Sequence, residues 1–328
     1  MRFKGRSLYN SLWLGDLEED TISVEPWRIL DYRTIETQEL FHRLHSLGLC
    51  LNEDQFLLCA HESVSPEEFV ENIWWEETSS TACEEAYLLL FELWRRYLPK
   101  RRTVSIVIDD LDRSIAAYDI GEIESHHVLR HLEEVLHFLE SGYAQGLDPQ
   151  QVFAMIAEYS AQDLELFLYD YVLERLDREE DELARRLVDM FEQFVPERKW
   201  FDLLRIYVNK VSEWDCICDK LCLLLQEERE RTTADVAFLE EIFLFLVCAE
   251  DAALMVKALP VLLYCLFCER ELLEFLSSVC EQCEFLGYQD LRLRAEPFFA
   301  RKCAPSRRVT KADRSQLAKI VIEVLVRP

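Results

Sequence analysis

Glycine is what this chain has least of: seven in 328 residues, about a third of the usual share of about 7 %. Tight hairpins draw on glycine for positive φ, so the scarcity excludes a hairpin-rich sheet and favours helices. Only Gly287 falls between Asp148 and Ala300. Long apolar runs are missing too. The most apolar window, Ala252 to Cys268, is broken by Lys257 and Pro260, whereas a membrane span needs about 20 predominantly apolar residues. No apolar stretch of signal-peptide length follows Arg2, Lys4 and Arg6. Positive charge is short: 36 Lys/Arg stand against 63 Asp/Glu, a formal charge of −27. Residues 301–328 hold eight of the Lys/Arg and, of the acids, only Asp313 and Glu323. That leaves 28 against 61 in residues 1–300. A field of that sign repels phosphate backbones, which argues against nucleic acid and anionic membrane as partners of the body. It suits a basic protein partner, and the competing reading is plain solubility.

Half of the chain is apolar, enough for a substantial core without staples. The twelve cysteines do not form a disulfide framework, because Cys218, Cys222, Cys248 and Cys265 sit in helical apolar runs. Free cysteine is a small buried hydrophobe in reducing compartments, so a cytoplasmic protein is expected. The pattern predicts an all-α fold. Helices are expected over Thr34–Ser46, Leu51–Ala60 and Cys83–Tyr97, with a further start at Ser65-Pro66-Glu67-Glu68: serine cap, proline at the first position, acid three after the cap. Trp13 and Trp27 are candidate anchors for a loose residue 1–30 region. Beyond Gly121, Val128, Leu129, Leu132, Val135, Leu136 and Leu139 make one stripe. Leu183, Leu187, Met190, Phe191 and Phe194 follow the spacing of a one-sided helix. Helix starts about 15–20 residues apart give pairs with the period of α-solenoids. Two branched runs read as β-like: Thr103–Asp109 and Ile320–Val326. The expected organisation is a helical region over 1–100, a connector with a possible strand over 101–122, a helical-repeat-like array over 123–300 and a basic tail over 301–328.

Several segments carry chemistry-bearing residues. Ser105-Ile-Val-Ile-Asp109-Asp110-Leu-Asp112-Arg113 resembles the magnesium-organising strand of P-loop ATPases, in which a carboxylate holds the metal beside the phosphates. That chemistry needs a glycine loop with Lys-Ser/Thr, which is absent; the alternative is Asp109 or Asp110 at a helix entry. Cys265-x-x-Cys268 and Cys280-x-x-Cys283 have the spacing with which four thiolates enclose zinc tetrahedrally, here from two helices. The competing reading is buried cysteines. Glu39-x-x-His42 and Glu134-x-x-His137 share the ExxH spacing of di-iron bundles, but the second pair falls opposite its helix's apolar stripe. Trp200, Leu203 and Tyr207 resemble half of the first tetratricopeptide helix, with Leu204 in place of the glycine and Cys216 and Lys220 at the second-helix Ala and Phe positions. Neither a G-x-S-x-G elbow nor an HExxH pair occurs.

Basic residues gather twice. Arg95, Arg96, Lys100, Arg101 and Arg102 stand at a helix C-terminus, where cations complement the dipole. Arg301, Lys302, Arg307, Arg308, Lys311, Arg314 and Lys319 form the tail, read either as an arm for an acidic partner or as lying on the protein's own acidic body. The sequence therefore predicts a non-catalytic protein–protein interaction scaffold or adaptor, with Trp75 and Trp214 as hot-spot candidates. Two alternatives stand beside it: a zinc protein or enzyme using Cys265, Cys268, Cys280 and Cys283, and a helical chaperone or regulator of a basic client.

Overall fold

Seventeen α-helices and two short 3-10 turns are the regular elements of the computed structural model, which describes residues 6–14, 25–73, 80–209, 214–249, 251–301 and 306–326. In chain order they are α1 (Ser7–Leu14), α2 (Thr37–Ser46), α3 (Glu53–His61), α4 (Pro66–Ile73), α5 (Ser80–Tyr97), α6 (Val104–Asp119), α7 (Ser125–Ala144), α8 (Pro149–Ala157) and α9 (Leu164–Asp177). There follow α10 (Asp181–Phe191), α11 (Arg198–Val208), α12 (Trp214–Arg229), α13 (Val236–Cys248), α14 (Ala252–Tyr264), α15 (Glu269–Phe285), α16 (Asp290–Phe299) and α17 (Lys311–Leu325). Among the described residues there is no strand, only an isolated bridge between Cys268 and Arg308. No described helix is long and apolar enough to cross a membrane. The fold is an all-α helical array.

Cap chemistry sets the helix starts. Asn52 and Gln55 form a reciprocal capping box at α3, and the Glu68 N–H donates to the Ser65 hydroxyl at 3.2 Å where Pro66 opens α4. Asp148 and Asp235 accept from the third residue of α8 and α13. The chain divides into two compact units, Met1–Leu168 with Gln193–Pro196, and Tyr169–Glu192 with Glu197–Pro328. The first is centred on α5, whose Leu89, Leu90, Phe91, Leu93 and Trp94 are buried with Phe56, Phe69 and Tyr87. In the second, α11, α13 and α15 pack in succession, as do α12, α14 and α17. Such alternation is the layering of stacked helix pairs.

Both β-like runs are helical. Thr103 caps α6, accepting from the Ile106 N–H at 3.4 Å, so the 101–122 segment is a core helix and not a β-containing connector. Ser105 through Asp109, Leu111, Asp112 and Ile115 are all buried. A helix buried round most of its circumference shows no one-sided period, and its branched residues then imitate a strand. Residues 320–326 belong largely to α17, whose Leu317, Val321 and Val324 recur at i, i+4, i+7 and face the core. The basic tail is thus a docked helix in its described part. Arg314 donates to the Leu263 and Leu266 carbonyls at 2.9 and 2.8 Å, satisfying groups at the end of α14. Arg301 pairs with Asp313, Arg307 with Glu269, and Lys319 with Glu323; Lys302 lies outside the described residues. The tail rests on acids of its own unit.

Candidate functional site

The densest polar chemistry gathers on α6 in the first unit. Because α6 is capped by Thr103 and buried, Asp109, Asp110 and Asp112 are carried into the interior, and arginines from distant segments meet them. Arg6 Nε lies 2.6 Å from Asp109 Oδ1 and Arg33 Nη2 lies 2.6 Å from Oδ2, with Arg95 on the same oxygen. Arg33, Arg95 and Arg102 converge on Asp110, and Arg102 also holds Glu134 at 2.7 Å. Arg6 and Arg95 both lie over the Phe91 ring, at 4.6 and 5.4 Å. Arg113 binds Asp31 at 2.6 Å and covers Trp13. Burial alone would push the Asp109 carboxyl up, but Arg6, Arg95 and Arg33 outweigh it and hold the group well below the usual carboxylate range. Asp110 is lowered in the same way, by Arg95, Arg33 and Arg102 against burial. Carboxylates so engaged are poor bases; their role is to tie together the elements that bring the arginines.

Asp112 behaves differently. Its carboxyl is fully buried and accepts from Asn10 Nδ2 at 2.9 Å, the Ser160 hydroxyl at 2.7 Å and the Ala161 N–H at 3.0 Å. Among the described residues no arginine pairs with it. Burial, with the nearby Asp109 charge, pushes it to about 6 against these three donors. A proton has a place to go, since Ser160 Oγ, which already accepts from the Gln162 N–H at 3.1 Å, can accept from a protonated Asp112. Raised above its unfolded value of 3.8, the group binds more protons in the native state between about pH 4 and about pH 6. Its contribution to stability therefore falls as pH rises through that window. Denaturant titration should show the wild-type minus Asp112→Asn stability difference falling by about 1.4 kcal/mol per pH unit there; a flat difference would mean that the carboxyl titrates normally.

The four cysteines singled out by spacing are not brought together. Cys265 follows α14, its thiol 3.3 and 3.5 Å from the Leu225 and Val261 carbonyls; Cys268 caps α15. Cys280 and Cys283 point into the core from α15. Burial pushes the Cys265, Cys280 and Cys283 thiols up to about 12, 11 and 12. Among the described residues, no group of three or more His, Cys, Asp or Glu is placed to hold a metal ion. Glu39, His42 and His137 are exposed. Trp75 lies outside the described residues; Trp214 opens α12, its side chain outside them as well. Trp200 packs edge-on against Tyr169 and Phe238 at 5.1 and 5.0 Å, and the Tyr207 hydroxyl donates to Glu241 at 3.0 Å, so the tetratricopeptide-like residues are packing groups.

Sequence reading missed Arg6, Arg33, Asn10 and Ser160 as partners of α6, since nothing local marks contacts 76 or 102 residues apart. It also missed what the convergence does to the surface. Arg96 donates to the Tyr32 and Arg33 carbonyls, both at 3.1 Å, and Arg101 to those of Ala60 and Ser63. The basic cluster at 95–102 is thus largely taken up by internal acids and carbonyls. No Lys or Arg occurs between Arg43 and Arg95, or between Arg130 and Arg175. The helices from those stretches present acids without cations of their own. Comparison with protein-family models, curated proteins and solved structures gave no significant match.

Proposed function

We propose that this chain is a non-catalytic protein–protein interaction module, a scaffold or adaptor, and that its partner is basic. The observation that carries the reading is the partition of charge in the first unit. Arg6, Arg33, Arg95 and Arg102 are drawn into the α6 cluster, while the cation-free stretches display acids together with exposed apolar side chains such as Leu58, Val64, Tyr143, Met155 and Leu166. Acids set the sign of the partner and speed its approach; apolar groups supply contact area once it arrives. The phosphates of nucleic acid would be repelled by the same field.

Cross-linking of the full chain in extract of its own cells, at low and at high salt, tests this. The expected result is a dominant basic partner that is held at low salt and released at high salt, linked mainly through first-unit residues. Partners that are acidic, or retained equally at both salts, would overturn the reading.

A further inference from the structure

The stretch between Arg43 and Arg95 contains eleven Asp/Glu and no cation, and it builds α3, α4 and most of α5. Along α3 and its C-cap, Asp54, Leu58 and Glu62 succeed one another at four-residue steps, which places them in one row on the helix surface. All three are exposed, Leu58 to 69 %. Val64, 74 % exposed, stands in the turn into α4, where its N–H donates to Glu68. The Asn72 amide donates to the Ser63 hydroxyl at 3.3 Å, which brings the last turn of α4, with exposed Glu71, beside that turn. Arg101 reaches this corner but gives its Nη groups to the Ala60 and Ser63 carbonyls. Among the described residues no Lys or Arg pairs with Asp54, Glu62 or Glu71.

A single exposed leucine is ordinary. Two exposed aliphatic groups on the α3–α4 segment, accompanied by exposed acids, are complementary to a particular kind of surface. We infer that the α3–α4 face docks a basic amphipathic helix of a partner protein, an assignment that rests on the interaction reading above. The apolar stripe of such a helix would cover Leu58 and Val64, and Lys/Arg at its margins would pair with Asp54, Glu62 and Glu71. The row on α3 is straight over two turns, so it favours an equally straight partner element lying alongside. Exposed Phe285 and Leu293 lack the charge match: Leu293 stands between Arg292 and Arg294, and Arg292 pairs with Glu284 beside Phe285.

The test uses the full chain and a labelled synthetic helix with leucines on one face and lysines on the other, read by fluorescence anisotropy at low salt. A scrambled peptide of the same composition is the reference. Leu58→Ser with Val64→Ser, and separately Asp54→Lys with Glu62→Lys, should each weaken binding about tenfold or more. Asp219→Lys with Glu230→Lys, at exposed acids of the second unit, should change it less than about twofold, and the scrambled peptide should bind more weakly than the helix. All altered side chains are exposed, so unchanged thermal unfolding verifies the fold. Equal weakening by both charge-reversed pairs, equal binding of the scrambled peptide, or no binding to the wild type would overturn the assignment. Binding that ignores all α3–α4 changes would place the helix elsewhere and leave the interaction reading standing.

Discussion

Asp109→Ala is expected to destabilise the first unit by about 3–5 kcal/mol. The wild-type carboxylate is fully buried and balances Arg6 and Arg95, themselves largely buried, together with the more accessible Arg33. Arginine does not shed its proton at any pH the fold survives, so removing the acid strands positive charge in the core. Arg33 keeps some access to water, which argues for the lower part of the range. Asp109→Asn, which retains an acceptor but not the charge, should fall between the two. Urea denaturation measures all three. A loss below about 1 kcal/mol, the scale of a surface pair, would mean that the guanidiniums rehydrate and that the cluster is not a buried tie.

Leu317→Ala should cost the second unit about 2–5 kcal/mol. Leu317 is fully buried, in one core with Val321, Val324 and the apolar faces of α14 and α16. Truncation leaves a cavity whose walls are helices held at both ends, α17 itself fixed by the Thr310–Asp313 capping box and by Arg314 on α14. Collapse around the void is therefore limited. Hydrogen exchange of second-unit amides would report the loss. A flexible basic arm would lose nothing, so an unchanged exchange pattern would contradict the docked helix.

The parts of this fold legible in the sequence were those specified locally. Ser65-Pro66-Glu67-Glu68 announces α4 because the cap, the fixed proline φ and the acidic first turn all act within four residues. The stripe on α7 announces itself because one side faces water. α6 does not, since a helix buried nearly all round looks like a buried strand, and its Asp109-Asp110-Leu111-Asp112 run looked like a metal strand for the same reason. Cysteine spacing misled in another way. CxxC constrains two thiols only if both lie on one continuous helix or knuckle, and Cys265 and Cys268 stand in the connection between the end of α14 and the start of α15. The cluster on α6 was half legible: its acids were marked, but its arginines arrive from segments that no local rule connects.

The charge partition itself is open to one direct measurement, carbodiimide-driven coupling of an amine to the carboxyl groups of the native full chain, read residue by residue by mass spectrometry. Asp54, Glu62 and Glu71 should be labelled early, while Asp109, Asp110 and Asp112 should stay unlabelled until the chain unfolds. Early labelling of Asp109 and Asp110, or protection of the α3–α4 acids in the isolated protein, would contradict a molecule that draws Arg6, Arg33, Arg95 and Arg102 onto the α6 acids and leaves those of α3–α4 outward.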